Sequence, residues 1–155
     1  PIDMTVLVED VLVLLEREMM KYRVQVEREF APVPRVSANP GQLQQVLLNL
    51  VKNGIEAMQD TPVERRHLDI SAHQIDARWL QVEITDQGHG LPEQDVEKIF
   101  APFYTTKPEG MGIGLAICRS IIEFHQGRLW VEPGREGGTR FRFTVPTENE
   151  EEEDE

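Results

Sequence analysis

Two asparagines, Asn49 and Asn53, stand one helical turn apart in a segment with helical spacing of apolar residues. Residues three and four apart share a face of a helix, so both amides are expected on the same side. Asparagine disfavours helix interiors, so a pair of them asks for an explanation. Amide oxygens suit Mg²⁺, which proteins hold through few groups of their own together with phosphates and waters. The pair is therefore either part of a small metal site or two solvated polar positions, and taken alone it favours the second interpretation.

Asp86 follows a strand-like run in which the apolar residues alternate. Leu80, Val82 and Ile84 have the same parity as Asp86, so its carboxylate is expected on the core face at the strand end. A buried carboxylate without a donor is very costly. An exocyclic amine on a base such as adenine is a suitable donor, whereas an aspartate that only caps its own Asp-x-Gly turn is the alternative.

Small residues surround this expected pocket in the sequence. Gly88 and Gly90 let the backbone after Asp86 turn sharply and approach another group closely. Thr139 has the parity of the apolar residues that follow it, so its hydroxyl is expected to face the same pocket. A threonine that only stabilises the preceding turn at 137–138 is nearly as good an explanation.

A glycine-rich run lies where a long loop meets the third expected helix, with the order Gly110, Met111, Gly112, Ile113, Gly114 and Leu115. A helix N-terminus presents unpaired N–H groups to anions, and glycines allow phosphate to approach. The run lacks the Lys-Ser/Thr of a P-loop and the spacing of the dinucleotide motif, so by itself it is a weak signal. Upstream, Lys107 is a candidate for a terminal phosphate, with a solvated loop lysine as the alternative.

The elements that must position these residues follow from apolar periodicity. Helices are expected at 5–20, 40–59 and 113–125, the first burying Leu7, Val11, Leu14 and Leu15 and the last ending at Gly127 in left-handed conformation. At the end of that helix, an imidazolium at His125 is mildly favoured. Strands are expected at 22–30, 68–72, 80–86, 128–131 and 139–145. Three helices and about five strands indicate an α/β fold, a two-layer sandwich with a mixed sheet.

Charge is concentrated at the end of the chain. The 155 residues include 16 Lys and Arg against 28 Asp and Glu, a formal charge of −12. Seven acidic residues fall within 147–155, and without them 21 acids face 16 bases, a charge of −5. Such a segment buries too little apolar surface to offset its ordering entropy. We therefore expect a folded domain over 1–146 and a disordered acidic tail over 147–155.

Composition also excludes several classes of protein. The acidity argues against nucleic-acid binding, which needs a basic face. No apolar run approaches the length of a membrane span, so we expect no direct membrane contact. The single cysteine, Cys118, has no intramolecular disulfide partner and is expected in the core of a helix.

Five segments together resemble the catalytic, ATP-binding domain of two-component sensor histidine kinases, in the Bergerat-fold ATPase superfamily. They are the N box at 44–57 (QQVLLNLVKNGIEA), the G1 box at 86–92 (DQGHGLP), the F box at 99–107 (IFAPFYTTK), the G2 box at 110–117 (GMGIGLAI), and 137–141 (GGTRF). The order and spacing make the resemblance strong over 2–146. The F box and the N box are similar to the nitrogen-regulation and oxygen-sensor branch.

The resemblance implies a Bergerat ATP-binding fold with a mostly antiparallel five-stranded sheet, with ATP and Mg²⁺ as cofactors. It implies that Asn53 ligates Mg²⁺ and that Asn49 helps to position metal and phosphates. Asp86 would bind the adenine amino group with help from Thr139, while Gly88 and Gly90 shape the pocket. The remaining implied nucleotide contacts are Thr106, Lys107, Gly110, Met111, Gly112, Ile113, Gly114 and Leu115. Lys107 is similar to a residue near the γ-phosphate, and Lys52 is a substitute for a basic residue that many members have just after the second asparagine.

The implied reaction is transfer of the γ-phosphoryl group to a histidine supplied by another domain. None of the four histidines is followed by Glu or Asp, so the phosphoacceptor motif is absent from this chain. The implied partners are the dimerisation and histidine-phosphotransfer domain of the parent kinase and, indirectly, a response regulator receiver domain. The isolated domain is expected to be monomeric and cytoplasmic, within a homodimeric parent that begins before Pro1.

Three other functions remain open at this level. A gyrase- or chaperone-type ATPase would carry a glutamate where this chain has Asn49, because hydrolysis needs a base to activate water. A serine-directed anti-sigma-type kinase shares the fold and differs in the acceptor that it labels. A degenerate interaction module would have lost nucleotide binding, and the intact Asn53 and Asp86 argue against it.

Overall fold

The computed structural model describes residues 1–91, 93–101, 114–134 and 137–148. In this part of the chain there are four α-helices, α1 (Met4–Leu14), α2 (Glu16–Lys21), α3 (Pro40–Ala57) and α4 (Gly114–Phe124). The five strands are β1 (Gln25–Phe30), β2 (His67–Gln74), β3 (Trp79–Thr85), β4 (Leu129–Pro133) and β5 (Thr139–Pro146). Short 3-10 turns occur at Val63–Arg65, Glu93–Asp95 and Lys98–Phe100.

The strands form one mixed sheet in the order β1-β2-β3-β5-β4. Only β1 and β2 pair in parallel, and the other three pairings are antiparallel. A parallel pair needs a long crossover, and here α3 supplies it between β1 and β2. The expected two-layer α/β sandwich with a mostly antiparallel five-stranded sheet is confirmed.

The helices bury apolar side chains against one face of this sheet. On α3 the expected stripe is buried as predicted, with Leu43, Val46, Leu47, Leu50 and Gly54. The facing strand residues alternate with polar ones and are also buried, namely Leu68, Ile70, Ala72, Leu80, Val82, Ile84, Phe141, Phe143 and Val145. Cys118 of α4 lies in the same core, as predicted.

The first expected helix is two helices, which makes four instead of the predicted three. Asp3 caps α1 by accepting hydrogen bonds from the backbone N–H groups of Thr5 (3.0 Å) and Val6 (3.4 Å). The helix is interrupted at Leu15, whose side chain is only 6% exposed, and α2 follows. The prediction that Leu14 is buried is wrong, because Leu14 lies at the margin of the apolar stripe and is 56% exposed.

The end of α4 also differs from the prediction. The residue in left-handed conformation is Gln126 (φ 65°), not Gly127. The N–H of Gly127 donates to the carbonyl of Ile122 (2.9 Å) and that of Gln126 to Glu123 (2.8 Å), the pair of bonds that defines a Schellman motif. Gly127 is required for another reason, because a Cβ there would stand 1.9 Å from the Thr144 carbonyl oxygen.

His125 joins α4 to the start of α3. Its Nδ1 lies 2.8 Å from the carbonyl oxygen of Ile121, and its Nε2 lies 3.0 Å from the backbone nitrogen of Asn39, the N-cap of α3. A carbonyl only accepts and a backbone N–H only donates, so these two contacts use Nδ1 as the donor and Nε2 as the acceptor.

Residues near the two ends of the described chain meet at Val36. Bridges pair Val36 with Ile2 on one side and with Thr147 on the other. Thr147 is buried, its hydroxyl donates to the Ala77 carbonyl (2.9 Å), and Glu148 N donates to Arg35 (2.8 Å). Backbone pairing thus holds 147–148 to the domain, while the division into a domain over 1–146 and a disordered tail stays a prediction. The remaining tail residues, 149–155, lie outside the described residues.

In the part of the chain that the structure describes, none of the helices combines the length and apolarity that a bilayer span requires.

Candidate functional site

The site is built around Asp86, which directly follows β3. Its side chain is 4% exposed, as the parity of the strand predicts. Oδ1 lies 2.8 Å from the backbone nitrogen of Gly88 and 3.3 Å from that of Thr139, and both N–H groups donate to it. Burial raises the pKa of this carboxyl, while the hydrogen bonds from Gly88 and Thr139 and the charge of His89 oppose the shift.

The hydrogen bonds from the described residues all reach one oxygen of Asp86, and within those residues Oδ2 receives none. Oδ2 is not one of the buried unpartnered side-chain atoms of the described residues, so it can accept from water as well as from a bound molecule. An amino group of a bound molecule is a suitable donor for it. The alternative that Asp86 caps its own turn accounts for the Gly88 bond.

Glycines around Asp86 allow backbone segments to touch. A Cβ on Gly138 would stand 1.9 Å from the carbonyl oxygen of Asp86, and one on Gly88 would stand 2.5 Å from that of Ala57. Gly90 has a φ of 78°, and a Cβ there would meet the Gly137 carbonyl oxygen at 2.4 Å. The close approach expected of Gly88 and Gly90 is thus made to the protein's own backbone. The glycines hold the walls of the pocket together.

Thr139 lies on the inner face as predicted, and it is buried. Its carbonyl accepts a hydrogen bond from the Asp86 N–H (2.9 Å), so its backbone holds Asp86 from both directions. Helix α3 closes the pocket on another side, because a Cβ on Gly54 would stand 3.6 Å from the Asp86 Cβ. Asn53 precedes Gly54 and is half-buried, so its residue lies beside the aspartate.

One turn back along α3, Asn49 meets the beginning of α4. A Cβ on Gly114 would stand 3.6 Å from Asn49 Oδ1 and 3.8 Å from its Cγ. Leu115 is half-buried in the same helical turn as Gly114. Asn53 and Asn49 therefore lie between the Asp86 carboxylate and the N-terminus of α4.

Lys52 does not lie with Asp86, Asn53 and Asn49. Lys52 is exposed and lines a groove with Arg17, Lys21 and Tyr22, on the side of α3 that faces α2. Its suggested phosphate contact therefore remains a prediction. Six further predicted contacts lie outside the described residues, namely Thr106, Lys107, Gly110, Met111, Gly112 and Ile113.

Phe100 packs against Phe141 and Arg119 at the end of the last 3-10 turn. Its ring makes an edge-to-face contact with Phe141, with centroids 6.4 Å apart. The guanidinium of Arg119 lies 4.2 Å from the Phe100 centroid and pairs with Glu97 at 3.0 Å. These contacts dock Phe100 on the folded domain, whereas Phe103 lies outside the described residues.

Sequence reasoning missed several supports of the site. The sequence indicates only a turn for Gly138, although a Cβ there would stand 1.9 Å from the Asp86 carbonyl oxygen. Thr61 was not considered, and its hydroxyl donates to the Gln87 carbonyl (3.0 Å) behind Asp86. The paired glycines before Thr139 were the one available signal. No local pattern marks Thr61, because its partner is 26 positions away.

The arrangement suits an extended ligand with an amine at one end and anionic groups at the other. Oδ2 of Asp86 can accept a hydrogen bond from an amine, and the Asn53 and Asn49 amides offer oxygen ligands further along α3. The N-terminus of α4 presents N–H groups beside Asn49. Mg²⁺ accepts such amide oxygens together with phosphate oxygens, so the residues present fit a metal–nucleotide complex.

Comparisons with known proteins give a consistent result. The family described as histidine kinase-, DNA gyrase B-, and HSP90-like ATPase matches residues 38–149. Sensor protein TdiS of Thauera aromatica is 40% identical over 148 residues, which is 94% of this chain and 27% of TdiS. The chain thus spans about a quarter of the length of this curated relative.

Solved structures agree in fold and sequence. The nucleotide-free catalytic domain of histidine kinase ThkA superposes with a TM-score of 0.84 at 36% identity, covering 94% of this chain and 93% of that domain. ThkA in complex with the response regulator protein TrrA gives 0.80 at 34% identity, covering 95% and 41%. Full-length ShkA in complex with AMPPNP gives 0.83 at 25% identity, covering 95% and 30%.

Proposed function

The chain belongs to the histidine kinase-, DNA gyrase B-, and HSP90-like ATPase family, as a histidine kinase catalytic domain, and from this we propose its reaction. It binds Mg²⁺–ATP and donates the γ-phosphoryl group to a histidine on a separate dimerisation domain of its parent. The observation that carries the proposal is the buried Asp86, with one carboxylate oxygen held by two backbone N–H groups and the other given no donor by the described residues.

Adenine is bound at the Asp86 end. The exocyclic amine donates to Oδ2, and Gly88 and Thr139 keep the carboxylate from turning because they hold Oδ1. A charged acceptor gives a stronger hydrogen bond than a neutral one, at about 1.5–3 kcal/mol. A carbonyl in place of the amine, as in guanine or hypoxanthine, would face the carboxylate with no proton between them. The Asp86 carboxylate therefore selects adenine over guanine and hypoxanthine.

The phosphates lie toward Asn49 and the N-terminus of α4. Asn53 holds Mg²⁺ and Asn49 helps to position metal and phosphates, because their amide oxygens share one face of α3. When bound, the metal ion neutralises phosphate charge. The same proposal places Lys107 near the γ-phosphate, and Thr106 and the run from Gly110 to Leu115 around the phosphate chain.

The chemical step is an in-line displacement. A histidine nitrogen from the partner domain forms a bond to the γ-phosphorus while the bond to the β–γ bridging oxygen breaks, and ADP leaves with that electron pair. Catalysis rests on positioning and charge neutralisation. An asparagine at position 49 is not a base for water, which supports transfer to a protein in preference to the steady hydrolysis of a gyrase- or chaperone-type ATPase.

Partners are inferred from the family. The ThkA complex contains a response regulator protein, and the chain covers about two fifths of that kinase. We therefore assign this domain an immediate partner, the histidine-bearing dimerisation domain of its parent, and an indirect one, a receiver domain. The parent acts as a homodimer in the cytoplasm, and this domain alone is a monomer.

The binding half is tested by titration calorimetry of the chain with Mg²⁺–ATP and Mg²⁺–ADP. D86N is expected to lose at least about tenfold in affinity, because the amide places a donor or a weaker acceptor opposite the adenine amine. N53A is expected to lose affinity only when Mg²⁺ is present. D60N, an exposed aspartate just past α3, is the matched control and should bind like the wild type. Wild-type affinity in both D86N and N53A would overturn the proposal.

The transfer half is tested with radiolabelled ATP. The chain alone should not label itself, and an added dimerisation domain containing a phosphoacceptor histidine should become labelled. The label should be acid-labile, which separates phosphohistidine from the phosphoserine of a serine-directed kinase. Steady release of phosphate without any acceptor would instead favour the ATPase alternative.

A further inference from the structure

Three side chains that can bind a metal ion lie together on the outer face of the sheet, opposite the helices. Glu27 of β1 and His67 and Asp69 of β2 each offer one ligand atom, and these three atoms lie within 4.8 Å of one another. Parallel pairing places Glu27 directly beside Asp69. His67 and Asp69 are two residues apart on one strand, so their side chains point to the same face. Backbone pairing therefore fixes the positions of all three residues.

The distances between these atoms suit a shared metal ion. His67 Nδ1 lies 3.1 Å from Asp69 Oδ1. Two ligand atoms that each stand about 2.1 Å from one zinc ion are about 3.0–3.4 Å apart when the angle between them is about 90–110°. Glu27 is exposed, so its flexible side chain can close the remaining distance. The two carboxylates balance the charge of a divalent cation, and the neutral imidazole supplies a nitrogen ligand.

Asp69 is held from behind by another side chain, as carboxylates that bind metal ions commonly are. Gln87 is buried, and its Nε2 donates to Asp69 Oδ2 over 3.5 Å, which leaves Oδ1 toward His67. A groove of about 660 Å³ borders both Glu27 and His67 and gives an ion a path from solvent. The group of three thus has an oriented carboxylate and an open approach, which a metal site needs.

We propose that Glu27, His67 and Asp69 form a binding site for a divalent metal ion of the zinc class, on the opposite face of the sheet from the helix that carries Asn53. Zinc binds imidazole and carboxylate groups, and three protein ligands leave its fourth position to water. Mg²⁺ is a poor candidate, because it prefers oxygen ligands. On binding, the ion takes the lone pair of His67 Nδ1 and the ring proton resides on Nε2, so metal–ligand bonds replace the hydrogen bond between His67 and Asp69.

The same two strands provide matched control positions. His73 lies on β2 with the parity of His67 and is also half-buried, and Glu29 lies on β1 with the parity of Glu27 and is also exposed. Neither residue is part of the group of three. A surface that attracts cations by its acidity alone would respond to the loss of either glutamate, whereas a coordination site responds only to the loss of its own ligands.

The site is tested by calorimetric titration of zinc chloride into untagged chain that has been treated with EDTA and dialysed. The wild type should bind one zinc ion per chain. H67Q and E27Q should each weaken binding at least about tenfold, since the loss of even an outer-shell partner costs about 10–100-fold. H73Q and E29Q should bind zinc as the wild type does. E27Q changes an exposed side chain to its isostere, so it decides the test even where H67Q fails to fold.

Three outcomes of the titration would overturn the proposal. The first is a wild-type chain without saturable zinc binding, and the second is wild-type affinity in both H67Q and E27Q. The third is an equal loss in E29Q and E27Q, which would indicate attraction to an acidic surface only.

Spectroscopy and competition identify the ligands. In long-range ¹H–¹⁵N spectra, the imidazole signals of His67 should shift on addition of zinc, while those of His73 and His125 stay in place. A large excess of Mg²⁺ should not displace the zinc, because Mg²⁺ does not favour an imidazole ligand. Unshifted His67 signals, or displacement by Mg²⁺, would contradict coordination by the imidazole. These measurements contain no nucleotide, so their result does not depend on the proposed function.

Discussion

At the scale of single residues, the site depends on a carboxylate held where it is poorly solvated. Asp86 is buried at the end of β3, and burial raises its pKa. Such a group binds its proton more tightly in the folded chain than in the unfolded one. The fold is therefore less stable with Asp86 ionised than it would be with a neutral isostere. This cost is consistent with a residue retained for binding an amine.

The stability difference between D86N and the wild type should depend on pH. As pH rises from below the ordinary value of 3.8 through the raised pKa of the folded chain, the wild type loses the stability that tight proton binding contributes. Asparagine does not titrate, so the unfolding free energy of D86N should gain on that of the wild type over this range and then level off. Urea unfolding at a series of pH values measures this.

D60N is again the matched control, since it removes the same charge from an exposed position. Its difference from the wild type should vary little over the same pH range. A gap between D86N and the wild type that narrows with rising pH would contradict the inferred burial cost.

Much of the site was predictable at this scale, because the evidence was local. Strand parity placed Asp86 and Thr139 on the inner face, and helical spacing placed Asn49 beside Asn53. The approach of Asn49 to Gly114 was not predictable, because it joins two helices at positions 65 residues apart in the chain and follows from how α3 and α4 cross. Sequence periodicity predicts which face of each helix is buried, but it does not predict the angle at which two helices cross.

At the scale of elements, helix ends are determined by tertiary contacts as well as by local propensity. The sequence rule that glycine takes the left-handed position failed at the end of α4, where Gln126 takes it. Gly127 is placed against the Thr144 carbonyl, where no side chain fits. Steric exclusion by β5 therefore outweighs the strain of a glutamine with positive φ, which is about 1–2 kcal/mol.

Substitutions at Gln126 and Gly127 test this explanation of the helix end. Q126G should raise the free energy of unfolding by about 0.5–1 kcal/mol, because glycine relieves the strain at φ 65°. G127A should lower it by about 2 kcal/mol or more, because its Cβ would lie 1.9 Å from a carbonyl oxygen. Both are measured by urea unfolding at neutral pH.

Gly41 offers a control for glycine replacement. It lies in the first turn of α3, where a Cβ would have only an ordinary contact at 3.5 Å, so G41A should be neutral or slightly stabilising. A destabilised Q126G beside an unaffected G127A would refute this explanation of the helix end.

At the scale of the whole molecule, the acidic tail and the folded domain meet at a definite residue. Composition predicted a charged and unstructured end, and it placed the boundary at 147. Thr147 donates hydrogen bonds to the carbonyl groups of residues 77 and 78, although it belongs to a sequence with no apolar signal. The first residues of a charged run can therefore take part in backbone pairing that composition does not predict.

Two truncations separate the domain from its tail. A chain ending at 148 should unfold with a free energy within about 0.5 kcal/mol of the full length, because it keeps every contact described for the terminus. A chain ending at 146 should lose about 2 kcal/mol, since it lacks two hydrogen bonds of Thr147 and the bridge to Val36. Equal stability of both truncated chains would show that the Thr147 contacts contribute nothing.

The bridge at Val36 also lies far from the pocket. It joins Ile2 and Thr147 at one end of β5, whereas Thr139 and Asp86 lie at the other. Eight residues of strand separate these ends, or about 26 Å at about 3.3 Å per residue. The surface at Ile2 and the pocket at Asp86 therefore lie at opposite ends of β5, so a contact made at the bridge leaves the pocket end of the strand uncovered.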